Sequence, residues 1–305
     1  MRKGTGVVAH RLLFVGIRLV AAEALLRVAA PFARERAATL WNNMRNTARL
    51  AVFVLALVTA CGGRPGRVVI LGIDGLHLPL LDQLVVKGEL PNFARLYREG
   101  AVGGVSTTAA GLPSSSPLIW TSFATGQLPS RHGVTHWVRN DENGRRRLYS
   151  SRDRLVPALW EIVSEAGKSV GVVNWVATYP AERVDGFVVS DRYLALQSEA
   201  TAKHLGVALE RDAERLVYPT HLATVLDGLH LSLPKTIALS PDLGEEIDRA
   251  VFQVAYAALA RHSVDLLMIY TRSMDEVSHW LWSTHEPLPG EPSGPDQVGE
   301  FMRMM

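Results

Sequence analysis

Arg67-Val-Val-Ile-Leu-Gly-Ile73 constrains this chain more than any other stretch. After the arginine every side chain is apolar or glycine, and two valines and two isoleucines supply β-branching. An apolar run without polar alternation, too short for an ordinary helix, reads as a strand buried on both faces, as in a parallel sheet. Leu78 to Arg98 carries helical apolar spacing with a break around Gly88 and Pro91. Residues 158–166 read as a helix followed at once by the strand Ser169-Val-Gly-Val-Val-Asn174, and Gly186-Phe-Val-Val-Ser190 as another short strand. Residues 243–262 form a long amphipathic pattern, and Val264-Asp-Leu-Leu-Met-Ile-Tyr270 a further buried strand. Strands alternating with helices predict an α/β domain, a mostly parallel sheet with helices on both faces. Residues 195–242 are more polar and irregular, and are expected as a small cap inserted beside the sheet. Sites in such sheets form at the carboxyl ends of the strands.

At 305 residues the chain can bury one large core or two modest ones. A net charge of +2, with no Lys/Arg run, excludes nucleic acid as the expected partner. The single cysteine, Cys61, excludes an internal disulfide and any Cys-rich zinc site. Any metal must therefore be held by His, Asp, Glu and hydroxyl oxygens.

Cys61 sits in an informative setting. Met44-Arg-Asn-Thr-Ala-Arg49 is basic, Leu50-Ala-Val-Phe-Val-Leu-Ala-Leu57 is apolar, and Val58-Thr59-Ala60-Cys61-Gly62-Gly63 brings small residues. That is the order of a signal peptide, and its apolar part falls short of the ~20 residues a spanning helix needs. Val-Thr-Ala-Cys resembles a bacterial lipobox, which implies an exported protein held to the membrane by a lipid on Cys61. Gly62 in the next position leans that expectation towards the outer membrane. The alternative is a buried cysteine in an apolar element. Because a signal peptide starts at the N-terminus, Met44 is the expected start, residues 1–43 a non-native upstream extension, and residues 62–66 a linker.

Three segments carry chemistry. Ile73-Asp74-Gly75 places a carboxylate directly after the first strand, where capping of the next helix is the plainer reading. Ser116-Pro117 fits a helix start, Ser116 as cap and Pro117 at the first helical position, with the helix running to Thr125 and stopping at Gly126. A hydroxyl there lies in the positive field of unpaired N–H groups, a ready site for phosphate or sulfate. Asp275 and His279, four apart after the last strand, can fall on one side of a helical turn and share a metal.

Together these segments resemble the alkaline phosphatase superfamily, in the branch of type I phosphodiesterases and nucleotide pyrophosphatases. Asp74-Gly75 matches the branch's first metal ligand. Ser116 stands nine residues before Thr125-Gly126, followed by Pro129 and His132-Gly133, which is the spacing of its nucleophile motif. Asp275 and His279 match the ligands of its second metal. The resemblance covers residue 67 to the C-terminus. It implies hydrolysis of small phosphate mono- or diesters, with two divalent metal ions, zinc or alternatively manganese. Ser116 would be the nucleophile forming a phosphoseryl intermediate and, with Asp74, a ligand of one metal; Asp275 and His279 would hold the other.

The chain also departs from the family. No Asp-His-Gly follows Asp275, so the domain is expected to be incomplete at its C-terminus, with an exposed sheet edge and weakened metal binding. A catalytically impaired or inactive binding lipoprotein is accordingly the main alternative. Trp137 stands where nucleotide pyrophosphatases carry a phosphate-holding asparagine, which puts nucleotide substrates in doubt. His136 and Asn174 are candidate substrate contacts beside it, while Trp175 and Asp191 suit pocket, core or turn roles. A sulfatase is the lesser alternative, because Ser115-Ser116-Pro117-Leu118-Ile119 has isoleucine where the sulfatase pattern Cys/Ser-x-Pro-x-Arg requires arginine.

Overall fold

The computed structural model describes residues 66–105, 107, 114–229, 231, 241–286 and 294–305. Residues 1–65, on which the expectations for Met44, the signal peptide and lipidated Cys61 fall, lie outside the described residues. No helix among the described residues is long and apolar enough to cross a membrane.

Seven strands and ten α-helices alternate along the described chain. β1 (Val68–Ile73) leads into α1 (Leu78–Val86) and α2 (Pro91–Glu99). Next come α3 (Ser116–Thr125), α4 (Pro129–His132), the hairpin β2 (Val138–Asn140) and β3 (Arg146–Leu148), and α5 (Leu159–Glu165). β4 (Val170–Val173), β5 (Gly186–Val189), α6 (Ala195–Leu205), β6 (Val217–Tyr218) and α7 (Leu222–Asp227) follow. The last described elements are α8 (Pro241–Leu259), β7 (Leu266–Thr271), α9 (Ser273–His285) and α10 (Gln297–Met304).

The main sheet has the order β1-β7-β4-β5-β6, parallel throughout except for β6, which runs antiparallel to β5. Its pleat sorts side chains between two layers. Val173, Phe187, Val189, Leu267 and Ile269 meet α7 and α8 on one face. Val170, Val172, Val188, Leu266, Met268 and Tyr270 meet Trp160 and Ala124 on the other. α8 buries Ile247, Ala250, Val251, Val254, Ala255 and Ala258, a stripe at three- and four-residue spacing, as a helix docked on a sheet requires. A third cluster joins α1, α9 and α10 through Leu81, Leu84, Met274, Val277 and Phe301. The α/β class, mostly parallel with helices on both faces, is thus observed.

Two expectations change. The opening strand is not buried on both faces: Val68, Val69 and Leu71 are 54%, 62% and 46% exposed. β1 ends the sheet order and pairs only with β7, so one flank lacks a neighbour among the described residues. β7, between β1 and β4, is the strand whose six residues are all buried. The stretch expected as a cap is also partly core. β6 adds a strand to the sheet, and Leu216, Val217, Leu222 and Leu226 pack into the cluster under α8.

Candidate active site

The ends of β1 and β7 build the centre. The Asp74 N–H donates to the Thr271 carbonyl at 2.9 Å, extending the parallel ladder by one bond and fixing the backbone from which the carboxylate projects. That carboxylate accepts two hydrogen bonds, from Trp120 Nε1 at 2.9 Å and from the Tyr270 hydroxyl at 2.6 Å. Burial first, and the Asp74 charge second, push the Tyr270 phenol well above its ordinary range, so its hydroxyl keeps the proton it donates. Trp120 meets Tyr270 edge-on at 5.1 Å and Trp175 at 5.4 Å, forming an aromatic floor beneath the aspartate. Gly72 makes this possible: a Cβ there would stand 2.8 Å from the Trp120 ring.

Gly75 has a second steric role. Its φ is +70°, a left-handed turn that other residues adopt at a cost, and a Cβ there would lie 2.5 Å from the Asp275 Cα. The Asp74-Gly75 turn therefore abuts the first turn of α9. Burial and the nearby Asp74 charge raise the Asp275 carboxyl above the usual range. Asp275 Oδ2 lies 3.5 Å from His279 Nε2 one helical turn on, and the His279 side chain is 72% exposed.

Ser116 enters from α3. Ser115, in extended conformation, is the cap; its carbonyl accepts from Ile119 N at 3.0 Å and closes the first turn. Ser116 is therefore the first helical residue and Pro117 the second, one position later than the sequence suggested. Residues four apart share a helix face, so Ser116 stands one turn above Trp120 on the side that reaches Asp74. Gly126, left-handed at φ +62°, ends the helix as expected.

His132, from the same motif, is not a reacting group. It is fully buried, accepts from Val134 N through Nδ1 at 3.1 Å, and faces Ser122 Oγ through Nε2 at 2.9 Å. Ser122 Oγ donates to the Leu118 carbonyl at 2.8 Å, so Nε2 must carry the ring proton. Burial, and then the charge of Arg154, lower this imidazole to about 4, which keeps it neutral. Its work is to tie α3 to the turn after α4.

The remaining candidates divide. Trp137 and Asn174 line one small cavity of about 30 Å³ with Tyr270, Arg272, Asp191 and Arg192, at the carboxyl ends of β4, β5 and β7. The Arg272 guanidinium lies 5.2 Å over the Trp137 ring while its Nε donates to Glu276 at 2.6 Å. Asn174, left-handed at φ +59°, ends β4 and donates from Nδ2 to the Tyr270 carbonyl at 3.1 Å. His136 is exposed and outside this lining. Asp191 braces the loop after β4, accepting from Ala177 N at 2.9 Å and Tyr179 N at 3.0 Å. Trp175 is wholly buried in the aromatic cluster. Sequence reading missed Trp120 and Tyr270 as partners of Asp74. Trp120 was traceable from its four-residue offset to Ser116, whereas nothing local marks Tyr270.

The donor set can be tested against the metals that the resemblance implies. Burial and then the Asp74 charge raise the proton affinity of Asp275, and a nearby divalent cation would relieve that repulsion. Asp275 and His279 are correctly spaced as a ligand pair. Among the described residues, however, no three His, Cys, Asp or Glu side chains converge as one metal-binding group. The residues fit part of a donor set and require further donors to complete it.

In mostly parallel α/β sheets a ligand site forms at the carboxyl ends of the strands, which is where the Asp74-Gly75 turn meets the first turn of α9. The family model described as type I phosphodiesterase / nucleotide pyrophosphatase matches residues 68–296, and the chain belongs to that family, within the alkaline phosphatase superfamily. Among solved structures it is similar to phosphonoacetate hydrolase from Sinorhizobium meliloti 1021 in complex with phosphonoformate. There the identity is 19% and the TM-score 0.48, over 79% of this chain and 51% of that one. It is also similar to murine ectonucleotide pyrophosphatase / phosphodiesterase 5, at 13% identity and TM-score 0.40, over 78% and 50%. The chain thus spans about half the length of the solved chains it matches. Among curated proteins none matches it.

Proposed function

We propose that this chain carries the nucleophile side of a metal-dependent phosphoric-ester hydrolase acting on small phosphate mono- or diesters. The observation that supports this most is the placement of Ser116 at the N-terminus of α3, on the helix face whose Trp120 reaches Asp74. A phosphate there meets the first-turn N–H groups that a helix leaves without internal partners. The Ser116 oxygen forms a bond to phosphorus as the bond from phosphorus to the ester oxygen breaks, and the alcohol departs with a proton. Water then attacks the phosphoserine, releasing phosphate and returning the hydroxyl. Asp74, and Asp275 with His279, are the residues that would hold divalent cations, zinc or manganese by donor type. The chemistry such a cation supplies is a lowered pKa for a coordinated hydroxyl and neutralisation of developing charge. The aromatic floor excludes water beneath Asp74, and Trp137 with Arg272 presents a flat cationic wall to the substrate's remaining group. The export and lipid anchor read from Cys61 belong to this proposal, and partition of the mature protein into detergent, lost in Cys61→Ser, tests them.

A catalytically silent binding protein is the second reading, favoured by the two-donor limit of the Asp275–His279 pair among the described residues. Hydrolysis of 4-nitrophenyl phosphate and its bis ester, with zinc added, separates the two. Ser116→Ala is expected to lose on the order of a thousandfold or more in rate. Equal rates for wild type and variant remove Ser116 from the nucleophile role, and no rate in either leaves the binding reading.

A further inference from the structure

α8 turns a carboxylic acid towards the sheet. Asp248 and Phe252, one helical turn apart, line an apolar cavity of about 250 Å³ with Leu71 and Ile73 of β1, Phe93 of α2 and Phe301 of α10. Asp248 is 9% exposed, and its Oδ1 accepts from the Ser273 hydroxyl at 2.7 Å. That donor is neutral, and the nearby Glu276 has the same sign as Asp248, so burial lifts the carboxyl to about 7. The other two charged residues at the cavity, Glu245 and Arg249, pair with each other on the exposed side of the helix. Among the described residues Asp248 is thus a buried acid with no cation of its own, set in the wall of an apolar space.

We propose that this cavity binds a small organic ammonium, with its apolar body against Leu71, Phe93, Phe252 and Phe301 and its amine head at Asp248. The chemistry of the lining selects that class. A buried carboxylate carries a desolvation penalty that a cation beside it offsets, whereas an anion would add to it. A metal ion would find one carboxylate among phenyl and aliphatic groups, too few oxygens for its shell. An alkylammonium needs only one acceptor, and the phenylalanine rings favour a cationic head over a neutral one. The space suffices, since apolar cavities on the order of 150 Å³ already hold a benzene ring. Asp74, Ser116, Asp275 and His279 do not line this cavity, so the inference stands whether or not the chain hydrolyses an ester.

The test is titration calorimetry of the full chain with 2-phenylethylamine, beside its neutral and anionic counterparts 2-phenylethanol and phenylacetate. At about pH 8.5 the amine is protonated and Asp248 is ionised. Wild type is expected to bind the amine about 10-fold or more tightly than the alcohol, the share of a hydrogen bond between charged groups, and phenylacetate more weakly than either. Asp248→Asn keeps the shape of the site and is expected to bind amine and alcohol alike. Leu71 lines the cavity and is 46% exposed, so Leu71→Trp fills the space from its rim and is expected to weaken the amine and the alcohol together. Near-ultraviolet circular dichroism checks that both variants are folded; should Leu71→Trp fold poorly, Asp248→Asn decides alone. Equal affinity of wild type for amine and alcohol, an amine preference that survives in Asp248→Asn, or no binding of the amine at all overturns the proposal.

Discussion

Asp248 is a carboxyl on the buried side of α8, 9% exposed, beside an apolar cavity of about 250 Å³ lined by Leu71, Ile73, Phe93, Phe252 and Phe301. Among the described residues its hydrogen-bonded side-chain partner is Ser273, whose hydroxyl donates at 2.7 Å two residues before Asp275. Desolvation dominates and lifts the group from 3.8 to about 7, with the Glu276 charge adding to it. An acid whose folded pKa is raised binds its proton more tightly when folded, so its contribution is complete below the unfolded pKa and declines as pH climbs to the folded one. The chain should thus lose stability between about pH 4 and pH 7, at roughly 1.4 kcal/mol per pH unit, summing to on the order of 4 kcal/mol. Asp248→Asn removes the charge while its amide oxygen still accepts from Ser273. We expect the variant's advantage in urea unfolding to be small near pH 4 and to grow by about 2–3 kcal/mol between roughly pH 5 and pH 8. A difference independent of pH, or a variant less stable than wild type near pH 8, would refute the reasoning.

Two further substitutions probe how the scaffold holds the site. Arg154, 4% exposed, pairs with Glu182 and with Glu161 at 2.6 Å, and Trp160 donates to Glu182 at 2.9 Å. Arg154→Met strands a largely buried carboxylate and should cost about 3–5 kcal/mol in chemical denaturation, most of it regained in the double variant with Glu182→Gln. No recovery in the double variant would show that the ion pair is not the cause. Gly75→Ala places a Cβ into the Asp275 backbone at a left-handed position. It should lower stability by at least about 1 kcal/mol in thermal melts and reduce 4-nitrophenyl phosphate hydrolysis by parting the two acids. Wild-type values for both would show that the turn and α9 do not need this contact.

Much of the architecture was legible because its signals are local. The stripe from Ile247 to Ala258 and the apolar run Leu266–Thr271 declare a docked helix and a core strand through the identities of their own residues. The motif from Ser116 to Gly133 likewise carried its helix start, its glycine stops and its resemblance to a family within one short segment. His132 was visible as a motif member, but its buried, neutral, structural role follows from contacts with Ser122 and Val134 that no spacing rule assigns.

By itself, then, the sequence determined the alternation of strands and helices, the family, and the identity of Asp74, Ser116, Asp275 and His279 as the residues to examine. The tertiary structure alone decided which strand, among the described residues, is an edge and which is central. β1 and β7 are equally apolar, yet one has Val69 62% exposed and the other is buried throughout. It also decided that the second half of the supposed cap belongs to the core, and that Tyr270 and Trp120 grip Asp74. The physical reason is the same in each case. Propensity and periodicity act between neighbours a few residues apart, whereas strand order and the hydrogen bonds of the half-buried Asp74 carboxylate join residues up to 196 positions apart, and only packing brings those together.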